Sequence, residues 1–63
     1  MSKIKFVRRY IWYRTTFYDI VYLSGRVRTV TADELPMTAL NFMIHHTQKL
    51  QYDRYHGYEN IYD

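Results

Sequence analysis

A chain of 63 residues with no cysteine and a formal net charge of +3 has room for one small hydrophobic core over residues 1–63, and it excludes both disulfide bridges and thiolate metal sites. Domains this small bury only about 60% of the surface their unfolded chains expose, so packing, or pairing with a second copy, must supply the stability that staples usually give. Hydrophobic residues make up 48% of the chain and aromatic residues 19%, which is too apolar for a disordered tail.

From Ile4 to Tyr13 the β-branched and aromatic residues Ile4, Phe6, Val7, Tyr10, Ile11, Trp12 and Tyr13 are interrupted only by arginine and lysine, which is strand composition. Arg14, Thr15 and Thr16 separate this run from a second strand, Phe17 to Leu23. There Tyr18, Ile20 and Tyr22 alternate with Phe17, Asp19, Val21 and Leu23, so both faces are half apolar. Ser24-Gly25 then breaks the period-two pattern before Arg26-Val27-Arg28-Thr29-Val30-Thr31, a hairpin signal followed by a third strand.

Thr31-Ala32-Asp33-Glu34 has the spacing of a helix capping box, with two acids near the positive end of a helix. Pro36 fits best at a first helical position, after a short acidic turn. The pattern predicts a helix from Pro36 to Asp53 that buries Leu40, Met43, Ile44, Thr47 and Leu50 and turns Gln48, Lys49 and Gln51 toward water. Gly57 ends it and leaves Tyr58 to Asp63 as an acidic, tyrosine-bearing tail. The expected fold is therefore α+β: a three-stranded antiparallel meander followed by one helix packed on one face, plus the tail.

The longest uncharged stretch, Leu35 to Gln48, is about 14 residues long and includes Pro36, Asn41 and two histidines, short of the roughly 20 apolar residues a bilayer span needs. No membrane partner is expected. Arg8 and Arg9 fall where a secretory signal would be apolar, which predicts a cytoplasmic chain.

Charge is split along the sequence. Residues 1–31 hold seven cations, Lys3, Lys5, Arg8, Arg9, Arg14, Arg26 and Arg28, against Asp19 alone, a net +6. Residues 32–63 hold Lys49 and Arg54 against Asp33, Glu34, Asp53, Glu59 and Asp63, a net −3. Such a field favours an acidic partner for the N-terminal half.

Alternation places Arg8, Tyr10, Trp12 and Arg14 on one face of the first strand and Arg9 with Tyr13 on the other, while Arg26 and Arg28 share a face of the third. Guanidinium beside aromatic rings suits a nucleic-acid-binding sheet. Tyrosine, tryptophan and arginine are equally the residues of protein-interface hot spots, and a small half-exposed sheet also carries them with no partner at all. The tail tyrosines Tyr52, Tyr55, Tyr58 and Tyr62 suit either docking outward or folding back onto a sheet edge, their acids neutralising the arginines.

Catalytic and metal chemistry find little support. His45 and His46 are adjacent and point about 100° apart on a helix. A site built from one of them with His56 and Asp53 lacks the i, i+4 spacing of helical ligand pairs. Gly25 and Gly57 are the only glycines, so no phosphate loop exists, and Asp33 and Glu34 are explained by a helix start. No catalytic residue, metal or other cofactor is expected, and the chain reads as a binding protein and not an enzyme.

Tyr18 to Thr31, with its strand, Gly-Arg turn and basic strand, resembles part of the arm-type DNA-binding domains of phage integrases, which implies a sheet that binds DNA. The cysteine-free, tyrosine- and arginine-dense composition is similar to that of small accessory proteins of bacteriophages, which implies binding to a host protein that is thereby inhibited or redirected. Opposed charge in the two halves and the acidic tail favour a protein partner, an acidic surface engaged by Arg8, Tyr10, Trp12, Arg14, Arg26 and Arg28. A DNA or RNA partner is the alternative, and a homodimer is compatible with both.

Overall fold

The computed structural model describes residues 3–63 and shows five strands where the sequence pattern gives three. They are β1 (Ile4–Trp12), β2 (Thr15–Tyr22), β3 (Val27–Thr31), β4 (Gln48–Asp53) and β5 (Gly57–Tyr62), with a 3-10 turn at Ala32–Glu34 and one helix, α1 (Met37–Ile44), between β3 and β4. All pairings are antiparallel and the sheet order is β3-β2-β1-β5-β4. The fold remains α+β, but the three-stranded meander with a long helix and a tail is replaced by a meander and a second hairpin joined through β1 and β5.

The tail becomes a strand because β1 needs a partner on its second edge. In a three-stranded sheet β1 would leave a row of unpaired N–H and C=O groups. Here Val7 to Tyr10 pair with Tyr62 to Glu59, so Tyr58 to Tyr62 lie inside the sheet. Alternation then does the sorting. Tyr62 turns to the helix side and joins the core of Val7, Ile20, Val30 and Ala39, while Glu59 and Ile61 turn to the opposite face.

A bulge at Lys5 adjusts β1 at its start. Ile4 pairs with Tyr22 and Phe6 with Val21, one extra residue on β1. The shift returns Ile4 to the helix side, where it packs beside Val7 against the core with Tyr18, Tyr22 and Leu35.

The helix is eight residues long and not the eighteen-residue span from Pro36 to Asp53. Pro36 caps it with extended backbone, and its carbonyl accepts from the N–H groups of Ala39 and Leu40, the position proline tolerates. Ala39, Phe42 and Met43 face the core, an i, i+3, i+4 stripe set off from the expected one. Ile44 and Leu50 are exposed instead. The helix ends in a tightened turn, the His45 N–H donating to the carbonyls of Asn41 and Phe42 at 3.3 and 3.2 Å. Just beyond it the His46 ring stacks on Phe42 at 3.7 Å, and its Nδ1 donates to the same Phe42 carbonyl at 2.6 Å. Among the described residues no helix is long and apolar enough to cross a membrane.

Candidate functional site

Two faces of unequal character result. The helix covers one, and the other is open but carries its own buried centre, where Tyr10, Asp19, Glu59 and Ile61 are all less than a tenth exposed. Side chains of neighbouring strands and the β4–β5 turn provide the cover, since the His56 ring stacks on Tyr10 at 3.9 Å.

Asp19 organises this centre. Its carboxylate accepts from Arg8 Nη2 at 2.8 Å and Nε at 3.2 Å, from the Tyr10 hydroxyl at 3.2 Å, and from the Thr29 hydroxyl at 2.7 Å. Register dictates the meeting, because Arg8 is opposite Asp19 and Asp19 is opposite Thr29. A buried carboxylate is tolerable only when it is paired and hydrogen-bonded in this way. Burial, reinforced by the Asp19 carboxylate, raises the Tyr10 hydroxyl above the usual tyrosine value.

Next to it lies a second group. Glu59 Oε1 accepts from Gln51 Nε2 at 3.0 Å, whereas Oε2 makes no hydrogen bond and lies 3.8 Å from Arg8 Nε and 3.5 Å from His56 Nδ1. Asp53 Oδ1 accepts the Tyr55 N–H at 2.7 Å, and Oδ2 faces His56 Nδ1 at 3.7 Å. The Tyr55 N–H, ahead of the neighbouring His56, holds the Asp53 carboxyl below the usual carboxylate range. Gly57 closes the turn at φ +71, a left-handed position that glycine takes without strain.

The turn between β1 and β2 has different chemistry. Trp12 pairs with Thr15, so Tyr13 and Arg14 form a two-residue loop with φ of +51 and +64. Positive φ at both positions defines a type I′ turn, which ordinarily takes Asn-Gly or Gly-Gly. Two full side chains there cost about 1–2 kcal/mol each. The Tyr13 ring stacks on Trp12 at 5.3 Å and is 84% exposed, while Trp12 is 51% exposed, so the pair forms an exposed aromatic prong. Tyr55 and Arg54 of the β4–β5 turn emerge at the same end, because β5 runs alongside β1 and His56 meets Trp12 edge-on.

The six residues singled out from the sequence therefore do not form one surface. Arg8 and Tyr10 are engaged with Asp19 in the open-face centre. Trp12 and Arg14 belong to the prong. Arg26 and Arg28 line a groove of about 550 Å³ with Ile4, Tyr22, Val27 and Thr38, on the helix side and at the other end of the sheet. Thr15 and the Ile20–Tyr22 segment, which face Trp12 and the Arg26–Arg28 segment respectively, are about 17–23 Å apart along β2 at ~3.3 Å per residue.

Asp19, Tyr13 and Glu59 were not singled out as site residues, and Asp53 and His56 were weighed as metal ligands only together with His45 or His46 and set aside. One signal pointed to Asp19, the lone acid among seven cations in the N-terminal half. For Glu59 the cue was its alternation with Tyr58, Asn60 and Tyr62 after Gly57. Comparison with protein-family models, with curated proteins and with solved structures finds no match.

Proposed function

We propose that this chain is a non-catalytic docking protein that engages an acidic patch on a larger protein through the prong of Trp12, Tyr13 and Arg14. The observation that carries this reading is the strained turn. A two-residue hairpin needs no side chains at these positions, and the fold would be more stable with asparagine and glycine there. Strain retained at an exposed aromatic and cationic tip supports a role outside the fold.

The chemistry fits a protein hot spot, since tryptophan, tyrosine and arginine dominate such anchors and a stacked pair loses little conformational freedom on binding. Arg14 and Arg54 form no ion pair among the described residues, which leaves them available to acidic groups. A sheet that binds single-stranded nucleic acid combines stacking rings and cations along one groove. In this chain the stacked rings and the Arg26–Arg28 groove lie at opposite ends of β2 and on different faces.

The test is a retention experiment at physiological salt followed by titration of the captured protein. Single changes Trp12→Ala, Tyr13→Ala and Arg14→Ala are expected to concentrate the loss, with at least one weakening binding about 30-fold, or about 2 kcal/mol, while Arg26→Ala/Arg28→Ala binds normally. A flat scan refutes the prong as anchor. Duplex or single-stranded nucleic acid held at physiological salt, and released by Arg26→Ala/Arg28→Ala, transfers the function to nucleic-acid binding.

A further inference from the structure

Asp53, His56 and Glu59 follow one another at intervals of three around the β4–β5 turn, and one ligand atom from each lies within 4.8 Å of the others. Each carboxylate has one oxygen secured by a hydrogen bond, Asp53 Oδ1 by the Tyr55 N–H and Glu59 Oε1 by Gln51 Nε2. The other oxygen of each points to His56 Nδ1, at 3.7 Å and 3.5 Å. Those separations are too long for hydrogen bonds. They approach the ~3.3 Å that separates two ligands on a tetrahedral ion with bonds of about 2.0–2.1 Å.

The Glu59 side chain is wholly buried; its Oε2 lies 3.8 Å from Arg8 Nε, a loose ion pair, and neither that oxygen nor His56 Nδ1 has a hydrogen-bond partner. A buried charged oxygen left this way is costly. Local charge adds to the deficit: Asp19, Asp53 and Glu59 face one guanidinium, Arg8, whose Nε and Nη2 donate to Asp19. With a neutral imidazole the group carries a net −2, which a dication balances.

We propose that Asp53 Oδ2, His56 Nδ1 and Glu59 Oε2 bind a divalent transition-metal ion of the zinc class, with a fourth position open to solvent. One imidazole nitrogen with two carboxylate oxygens suits Zn²⁺ and its neighbours, and the Gln51 and Tyr55 contacts orient the ligands from behind. Asp53 and His56 are partly exposed, the side chains at 25% and 19%, so an ion can enter from the open face. The site closes the β4–β5 hairpin and fixes the His56 ring that covers Tyr10.

The test uses the metal-free full-length chain and Co²⁺ as the spectroscopic probe. Expected are visible d–d bands that saturate at one ion per chain and disappear when Zn²⁺ displaces the cobalt. His56→Ala and Asp53→Asn, each checked as folded by circular dichroism, should weaken binding at least tenfold, and His45→Ala/His46→Ala should bind as the parent chain does. Asp53→Asn at the part-exposed ligand carries the test even where Glu59→Gln fails to fold. A folded parent chain with no saturable bands overturns the proposal. Bands that survive in His56→Ala, or that depend on His45 and His46, overturn it too. The docking reading stands or falls separately, on the prong variants.

Discussion

Replacing Tyr13-Arg14 by Asn-Gly tests the strained turn directly. The two positions sit at φ +51 and +64, and each L-residue with a full side chain there costs about 1–2 kcal/mol. The double change Tyr13→Asn/Arg14→Gly relieves most of this strain. It forfeits the Trp12–Tyr13 stack, worth about 0.5–1.5 kcal/mol at its best and less for a ring so exposed. The balance favours the variant by about 1–2 kcal/mol. For a chain of this size each kcal/mol moves the Tm by about 4–8 °C, so thermal unfolding followed by circular dichroism should show a rise of at least about 4 °C. Partner retention should be lost in the same variant. An unchanged or lower Tm would mean that the turn stores no strain, and a more stable variant that still holds its partner would show that the prong is not the anchor.

Asp19→Ala leaves Arg8, Tyr10 and Thr29 without their acceptor and is expected to cost about 3 kcal/mol, at the lower end for a broken buried pair because Arg8 is part-exposed. Against a total of about 3–9 kcal/mol for a chain of this length, urea unfolding should show a large fraction of the variant unfolded, and Arg8→Met alongside it should recover part of the loss. Gly57→Ala should cost about 1 kcal/mol by the same measurement, purely through the backbone, since a Cβ there meets nothing within 4 Å. Ile20→Ala removes a fully buried side chain and should cost about 2–5 kcal/mol, with Ile20→Val costing about 0.5–1.5 kcal/mol. Tyr10 titrates above its usual value of 10.0 when folded, so the native state holds that proton more tightly than the unfolded state does. Its contribution is complete below pH 10 and declines as pH rises toward the folded value. In the metal-free chain, alkaline destabilisation should therefore be steeper for the parent than for Tyr10→Phe.

The first half of the fold was legible because its signals are local. Strand composition in Ile4–Tyr13, alternation from Phe17 and a glycine before Arg26 mark β1, β2 and β3. The first turn, however, falls at Tyr13-Arg14 and not at Arg14-Thr15-Thr16, and β2 and β3 join through Leu23 to Arg26 and not Ser24-Gly25 alone, the Gly25 N–H donating to the Tyr22 carbonyl at 2.9 Å. The second half was misread because Thr47 and Leu50, which lie beyond the end of α1, continue the helical spacing of Leu40, Met43 and Ile44 by coincidence. β4, Gln48–Asp53, is an edge strand that is almost wholly exposed, so no apolar pattern marks it and only its pairing with β5 makes it a strand. In the same way, reading arginine and aromatic residues as one surface overlooked Asp19, whose position opposite Arg8 turns a candidate anchor into an internal ion pair.

Composition and local pattern by themselves determined that the chain is a cysteine-free α+β protein of unequal charge halves, with a basic aromatic hairpin and a glycine-marked turn before its last six residues. Tertiary structure decided that those residues form an inner strand and that the helix stops at Ile44. It also decided that Glu59 lies buried beside His56 and Asp53, and that Trp12 stands apart from Arg26 and Arg28. The division has one physical cause. Turn chemistry and alternation act between neighbours in sequence, whereas the pairing of β1 with β5 joins residues about fifty positions apart and follows from satisfying backbone hydrogen bonds on an otherwise open edge.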